Sequence, residues 1–238
     1  MKQAHIKRLN RNTLLIEWPD QVSTDLLDHI LGKEEQLQKS IAGLVESQVV
    51  YRSLSLHFDQ PVEQRQIDQI GDIIKRETGT ISRQRTLWKI PVCYDREFGL
   101  DLDACAAALQ LENNELIEQH TAQAYPVYGM GFLPGFLYLG DVPEKLQVGR
   151  HTQPRLKVAQ GSVGLAGKQT GIYPQESPGG WQILGRTPIP LFNPTQNPPS
   201  AIQVGDAIQF YAIDRPTFAL FEIQVQEGIY QPQKQPWI

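Results

Sequence analysis

Twelve of the 19 glycines in this chain of 238 residues fall between Gly129 and Gly185, interleaved with Pro134, Pro143, Pro154, Pro174 and Pro178. No regular helix survives that density of breakers, because proline removes a backbone donor and glycine weakens a helix interior. Short strands joined by tight turns do survive it. The stretch therefore predicts a small closed β-barrel, and Val204–Phe210 adds a late strand after a turn.

The residues before this block follow different periods. Ile6–Glu17 reads as a strand broken by a turn at Asn10–Asn12. Ser23 can cap a helix that carries Leu26, Leu27, Ile30 and Leu31 on one face. Leu44–Tyr51 and Ser53–Phe58 alternate as strands, with Leu54, Leu56 and Phe58 on one side. Asp59 can cap a second helix using Val62, Ile67, Ile70, Ile73 and Ile74, and Thr86–Val92 is a further strand. The order β-α-β-β-α-β matches a ferredoxin-like arrangement. The fold class is α+β, with a small ferredoxin-like α/β domain over 1–85 and a barrel domain over 86–238. Glu77–Arg85 is the expected linker, and Thr86–Val92 could complete the first domain or begin the second. Two short helices follow, one opened by Asp101 or Asp103 and one by Asn113.

A formal net charge of -4 argues against a polyanion binder, so nucleic acid is not an expected partner. No stretch approaches the roughly 18 apolar residues of a membrane span, and the N-terminus is broken by Lys2, Lys7, Arg8 and Arg11. Only Cys93 and Cys105 are present, without a CxxC pair, which argues against a disulfide scaffold or thiolate metal site. The expected compartment is the cytoplasm.

Several catalytic motifs fail on inspection. Gly161–Thr170 resembles a phosphate-binding P-loop, but Ser162 stands where its first glycine belongs and Gln169 where a magnesium-binding Ser/Thr belongs. Gly171 and Pro174 preclude the helix that would face a phosphate. Gly129–Gly135 misses GxGxxG by one residue. Ser162 and Ser177 lack the GxSxG elbow, and the five histidines form no zinc-binding pair. Asp101 and Asp103 read as helix caps before they read as a catalytic pair.

Between Pro126 and Pro190 the cations Lys145, Arg150, Arg155, Lys157, Lys168 and Arg186 outnumber Asp141, Glu144 and Glu176. A locally positive, glycine-rich block on an acidic chain suggests an anion site, because glycines let backbone N–H groups approach a ligand. The competing reading makes the glycines barrel turns and the charges solvated surface.

His120, Tyr125, Gly131–Leu139, Pro154-Arg155, Gly161-Ser162-Val163, Gly167–Pro174, Ser177–Trp181 and Gly185-Arg186-Thr187 occur in register. This run resembles the KipI-like family, also called allophanate hydrolase subunit 1. Ala159 and Leu137 depart from it, each where the family usually has proline. The resemblance implies a cyclophilin-like barrel behind a smaller α/β domain. It further implies a subunit of a 5-oxoprolinase that opens 5-oxo-L-proline to L-glutamate with ATP, with magnesium as counterion. The implied partners are a larger carboxyltransferase-like subunit and a third, lactam-hydrolase-type subunit, and the chain alone would be inactive. Within that role Arg155 and Arg186 would clamp an anion. Ser162, Gln169 and Thr170 would position it, and Tyr173 and Phe136 would form apolar walls. His120 is the candidate acid/base, or else a structural histidine, and His151 reads as surface. Two other roles stay open: a module that inhibits a sensor histidine kinase, and a subunit of a urea- or allophanate-processing enzyme. Prolyl isomerase activity does not follow from a cyclophilin-like barrel alone.

Overall fold

The computed structural model describes residues 3–76 and 84–237. They belong to two compact units, Met1–Arg83 and Gln84–Ile238. The linker expected at Glu77–Arg85 lies mostly outside the described residues.

The first unit contains β1 (His5–Asn10), β2 (Thr13–Glu17), α1 (Thr24–Ser40), β3 (Leu44–Val50), β4 (Ser53–Phe58) and α2 (Gln64–Lys75). Alternation buries Leu14 and Ile16 of β2 and Leu54, Leu56 and Phe58 of β4. In α1 the three-and-four spacing buries Leu26, Leu27, Ile30 and Leu37, and Ser23 Oγ accepts the Leu26 N–H at 3.2 Å. Asp59 does not cap α2. Pro61 follows it, and the Val62 N–H is taken by Arg11 O, so the segment stays extended until Glu63. There the Glu63 N–H donates to Gln66 Oε1. Lys33 is buried, and its ammonium donates to the Ile73 and Arg76 carbonyls at the end of α2. Burial and the nearby Arg76 lower its pKa.

The sheet order is β1-β2-β4-β3, antiparallel throughout. The broken strand expected over Ile6–Glu17 is thus a hairpin, its turn held by the Asn12 N–H on Asn10 Oδ1. The edge next to β2 is taken by β1. Thr86–Val92, the sixth element of the expected pattern, belongs instead to the second unit.

That unit contains β5 (Arg85–Cys93), α3 (Leu102–Leu109), α4 (Asn113–Thr121), β6 (Ala124–Met130), β7 (Leu137–Leu139), a 3-10 turn (Glu144–Leu146) and β8 (Arg155–Val158). It continues through β9 (Ser162–Ala166), β10 (Gln169–Ile172), β11 (Ser177–Gly179), β12 (Gln182–Arg186), β13 (Ala207–Ile213), α5 (Arg215–Gln226) and β14 (Gln233–Trp237). Seven strands close a barrel in the order β6-β13-β5-β12-β9-β10-β7, and β7 returns to β6. The architecture is α+β with a closed barrel, as the glycine and proline density predicts. Val92, Val127, Leu139, Val163, Leu184 and Ile208 belong to its buried core.

β13 runs parallel to β5, and Asp206 anchors the start of both. Its carboxylate accepts from the Thr86 and Gln203 N–H groups and from Trp88 Nε1. β8 and β11 form a separate two-stranded ladder. Two elements go beyond the sequence expectation. They are the C-terminal α5, capped by Asp214 through the Thr217 N–H, and β14, paired to β5. Among the described residues no helix is long and apolar enough to cross a membrane.

Candidate functional site

The residues singled out in the sequence separate into three groups. His120 and Thr170 form the first. His120, on α4, is fully enclosed and stacks on Phe210 with ring centroids 4.8 Å apart. Its Nδ1 lies 2.8 Å from Tyr94 Oη and its Nε2 lies 3.1 Å from Thr170 Oγ1. Thr170 spends its own proton on Gly164 O at 3.0 Å, so it must accept from His120. This places the ring proton on Nε2 and makes Tyr94 the donor to Nδ1. Burial holds the imidazole neutral, with its pKa pushed down to about 3. A group so enclosed positions α4 against the barrel wall, and the acid/base expectation is corrected accordingly.

Phe136 and Tyr173 form the second group, joined by Trp181. Phe136 stands edge-on to Tyr173 and to Trp181, each at a centroid distance of 5.4 Å. All three are buried, so Phe136 is a core residue and not the wall of an open groove. Gly179 makes this packing possible: a Cβ there would lie 2.3 Å from Tyr173 Oη. Phe132, by contrast, is 68% exposed, with φ +64°, an uncommon region for a bulky side chain.

The arginines form the third group, and both attach to one short segment before α3. Arg155, at the start of β8, donates Nη2 to Asp101 Oδ1 at 2.6 Å. Arg186, at the end of β12, donates Nε to Gln160 O and lies 5.7 Å from the Phe98 ring centroid. Asp101 occupies the N-cap place of α3 without capping it. Its Oδ2 accepts the Ile183 N–H at 2.6 Å, and its own N–H donates to Ile183 O. Burial raises its pKa, but the donors of Arg155, Ile183 and His151 together outweigh that and hold the carboxyl below its ordinary value. His151 Nε2 is buried and lies 3.2 Å from Asp101 Oδ1, although the side chain as a whole is 30% exposed. The capping role expected of Asp101 and the surface role expected of His151 both give way to this cluster. No local spacing betrays it, since Asp101 and Arg155 are 54 residues apart.

The remaining predicted residues hold the barrel together. Ser162 is buried on β9, opposite Arg186 in the ladder, and its carbonyl accepts the Tyr173 N–H. Gln169 opens β10, and its Oε1 takes a long bond from Arg150 at 3.4 Å. Arg150 lies 5.9 Å from the Trp181 ring centroid. Gly161 has φ +80°, and a Cβ there would meet Thr187 O at 2.3 Å. Among the described residues no group of three or more His, Cys, Asp or Glu side chains could hold a metal ion.

Residues 4–202 match the family model for the carboxyltransferase domain, subdomain C and D. The chain belongs to that carboxyltransferase-domain family, in the branch that holds the B subunits of 5-oxoprolinase. It is 38% identical to the 5-oxoprolinase B subunit of Bacillus subtilis (strain 168), over 73% of this chain and 72% of that protein. The solved structure of TTHA0988 is similar at 30% identity and a TM-score of 0.74, covering 86% of this chain and 40% of that one. Urea amidolyase of K. lactis shares the fold, with a TM-score of 0.81 at 18% identity, over 98% of this chain and 16% of its own.

Proposed function

We propose that this chain is one subunit of an ATP-dependent 5-oxoprolinase, which opens 5-oxo-L-proline to L-glutamate together with partner subunits. The observation that carries the reading is the kinship with the 5-oxoprolinase B subunit over nearly three quarters of both chains. The partners are a larger carboxyltransferase-like subunit and a third, lactam-hydrolase-type subunit, and the compartment is the cytoplasm. In fold terms we read the first unit as a ferredoxin-like sheet whose edge strand is β1, and the barrel as cyclophilin-like.

A five-membered lactam resists attack by water because its amide carbon is a poor electrophile. Charge that develops on its oxygen needs fixed cations or N–H donors. Arg155 and Arg186 are the candidates on this chain, acting as anion clamps, with Arg155 near enough to act on the Tyr173 hydroxyl. Gln169 positions Arg150, while Ser162 and Thr170 serve the barrel that carries them.

The residues of this chain do not fit a nucleotide site of their own. Gly167 and Lys168 form the tip of the β9–β10 hairpin, where Gln169 pairs with Ala166 across the ladder. The Thr170 hydroxyl is committed inside the barrel. We therefore assign ATP and its magnesium to the partner subunits, and no step here runs through them.

The test is reconstitution. The chain alone should release no glutamate from 5-oxo-L-proline, and the full mixture should do so only with ATP. Robust turnover by the chain alone would overturn the split-enzyme reading. Silence of the complete mixture would overturn the 5-oxoprolinase reading itself.

A further inference from the structure

The second unit contains a cavity of about 300 Å³ that no sequence motif announces. Its floor is Trp88 and Ile90 of β5 with Ile189, Leu191 and Ile202, all of them buried. Its mouth reaches solvent, because Gln196, Ala201, Gly228 and Pro232 on the rim are exposed. Protein interiors hold few voids larger than a water molecule, and open apolar cavities of this size are where small molecules bind.

The walls are preformed. Trp88 is fixed through Nε1, which donates to Asp206 Oδ2 at 2.9 Å, and Lys234 lies 5.2 Å from its ring centroid. On one side the loop 193–199 is closed by the Asn193 N–H on Pro199 O at 2.7 Å. On the other, Gly228 turns the chain after α5 at φ +70°, and the Ile229 and Tyr230 N–H groups both return to Gln224 O. The chain then enters β14, whose pairing with β5 holds Tyr230 and Pro232 at the cavity wall. Walls already in place lower the ordering cost of binding.

The lining defines the ligand. Among the described residues no Asp, Glu, Lys, Arg or His lines the cavity, so a charged ligand would lose its hydration without a counter-charge. An apolar cavity of about 150 Å³ admits benzene, so twice that volume suits an apolar body of about two rings. The polar groups sit together on one loop. Asn193 spends Oδ1 on the Thr195 N–H and hydroxyl, which leaves its amide nitrogen as the donor it can offer. The Gln196 carboxamide stands on the rim and can both donate and accept.

We propose that this cavity binds an uncharged molecule with an apolar body of about two rings and a carboxamide-type polar end, paired with Gln196 and Asn193. Neither Arg155 nor Arg186 lines it, so the site goes beyond the 5-oxoprolinase reading and does not depend on it. 5-Oxo-L-proline, a small carboxylate, is not its ligand.

The experiment uses the full single chain, so its outcome is separate from that of turnover in the reconstituted mixture. Naphthalene-2-carboxamide and naphthalene-2-carboxylate are titrated in separately at pH 7 while the Trp88 indole N–H signal is followed by NMR. The chain has four tryptophans, and Trp88→Phe identifies that signal. The amide should give a saturable shift, and the carboxylate should bind at least about tenfold more weakly. Ala201→Trp sets a large ring at the exposed mouth and should weaken the amide at least about tenfold, with thermal unfolding nearly unchanged. Gln196→Ala, also on the exposed rim, should cost about two- to tenfold, the net worth of one hydrogen bond. Absence of a saturable shift with the amide overturns the proposal. Equal binding of the two probes overturns the uncharged ligand, and undiminished binding by both rim variants overturns the location.

Discussion

Thr170 Oγ1 accepts from His120 Nε2 at 3.1 Å and donates to Gly164 O at 3.0 Å, so one hydroxyl joins α4 to two barrel strands. Thr170→Val keeps the shape and removes both bonds, leaving the enclosed His120 N–H without its acceptor. The expected loss is about 1–3 kcal/mol in urea unfolding, while Thr170→Ser should lose less than about 1 kcal/mol. Equal stability of the valine variant and the wild type would mean that the hydroxyl carries no structural role.

The same enclosure makes a pH prediction. His120 is held neutral down to about 3, whereas an unfolded histidine titrates near 6.5. As pH falls below about 6.5 the unfolded chain gains a proton that the folded chain refuses. The contribution is therefore complete above that pH and is lost downward toward 3, at up to about 1.4 kcal/mol per pH unit. In the native protein the His120 imidazole carbon signals should stay in the neutral form at pH 5. Titration of that ring near pH 6 would refute its burial.

Phe136 and Phe132 are neighbours with opposite roles. Phe136 is the centre of a buried aromatic cluster, and Phe136→Ala should cost about 3–5 kcal/mol. Phe136→Asp should fail to fold. Phe132 is exposed and touches the cluster only edge-on, at a centroid distance of 5.7 Å. Phe132→Ser should change stability little, because it removes exposed surface, yet weaken co-purification with the larger subunit. Undiminished co-purification would place the partner surface elsewhere.

The barrel was legible because breaker density restricts the backbone directly, wherever the side chains go. The turn between β1 and β2 and the helix capped by Ser23 were legible for a related reason: their signals are local. Asp101 shows where that ends. Its position before an Ala-rich helix reads as a cap, but its oxygens are claimed by Ile183 and Arg155, far along the chain. His120 was ambiguous for the same reason, since a lone histidine does not declare whether tertiary contacts will enclose it. The motif run identified the family, while the sorting of its residues into core, wall and edge needed the fold.

Two glycines in that run test how much of its composition is backbone demand. Gly161 and Gly167 both have positive φ, at +80° and +60°. A Cβ at Gly167 meets nothing within 4 Å, whereas one at Gly161 would lie 2.3 Å from the backbone oxygen of Thr187. Gly167→Ala should cost only the left-handed strain of about 1–2 kcal/mol. Gly161→Ala should cost clearly more, since the Thr187 backbone carbonyl must move, and thermal unfolding of the two variants compares them directly. Equal costs would mean that the Gly161 turn relaxes freely.

The kinetic prediction concerns Arg155 and Arg186, both tied to the segment from Phe98 to Asp101. Arg155 uses one amino group on Asp101 and has another without a partner. Only a planar guanidinium can serve two acceptors in this way, since a lysine ammonium is a single point charge. Arg186 spends Nε on Gln160 O and lies over Phe98, an arrangement that also depends on a flat cation. Removing one preorganised charge-stabilising donor costs about 2.7–4 kcal/mol, roughly 10²–10³ in rate. Arg155→Lys and Arg186→Lys keep the charge and so should lose less, but each should lower kcat/KM of the assembled enzyme at least about tenfold. Thermal unfolding and assembly with the partners should be nearly unchanged. A purely surface role would give a loss under about 1 kcal/mol, which is less than about fivefold in rate. An effect under twofold for either variant removes that arginine from the anion site. If both fall in that range, catalysis belongs to the partner subunits and this chain is their platform.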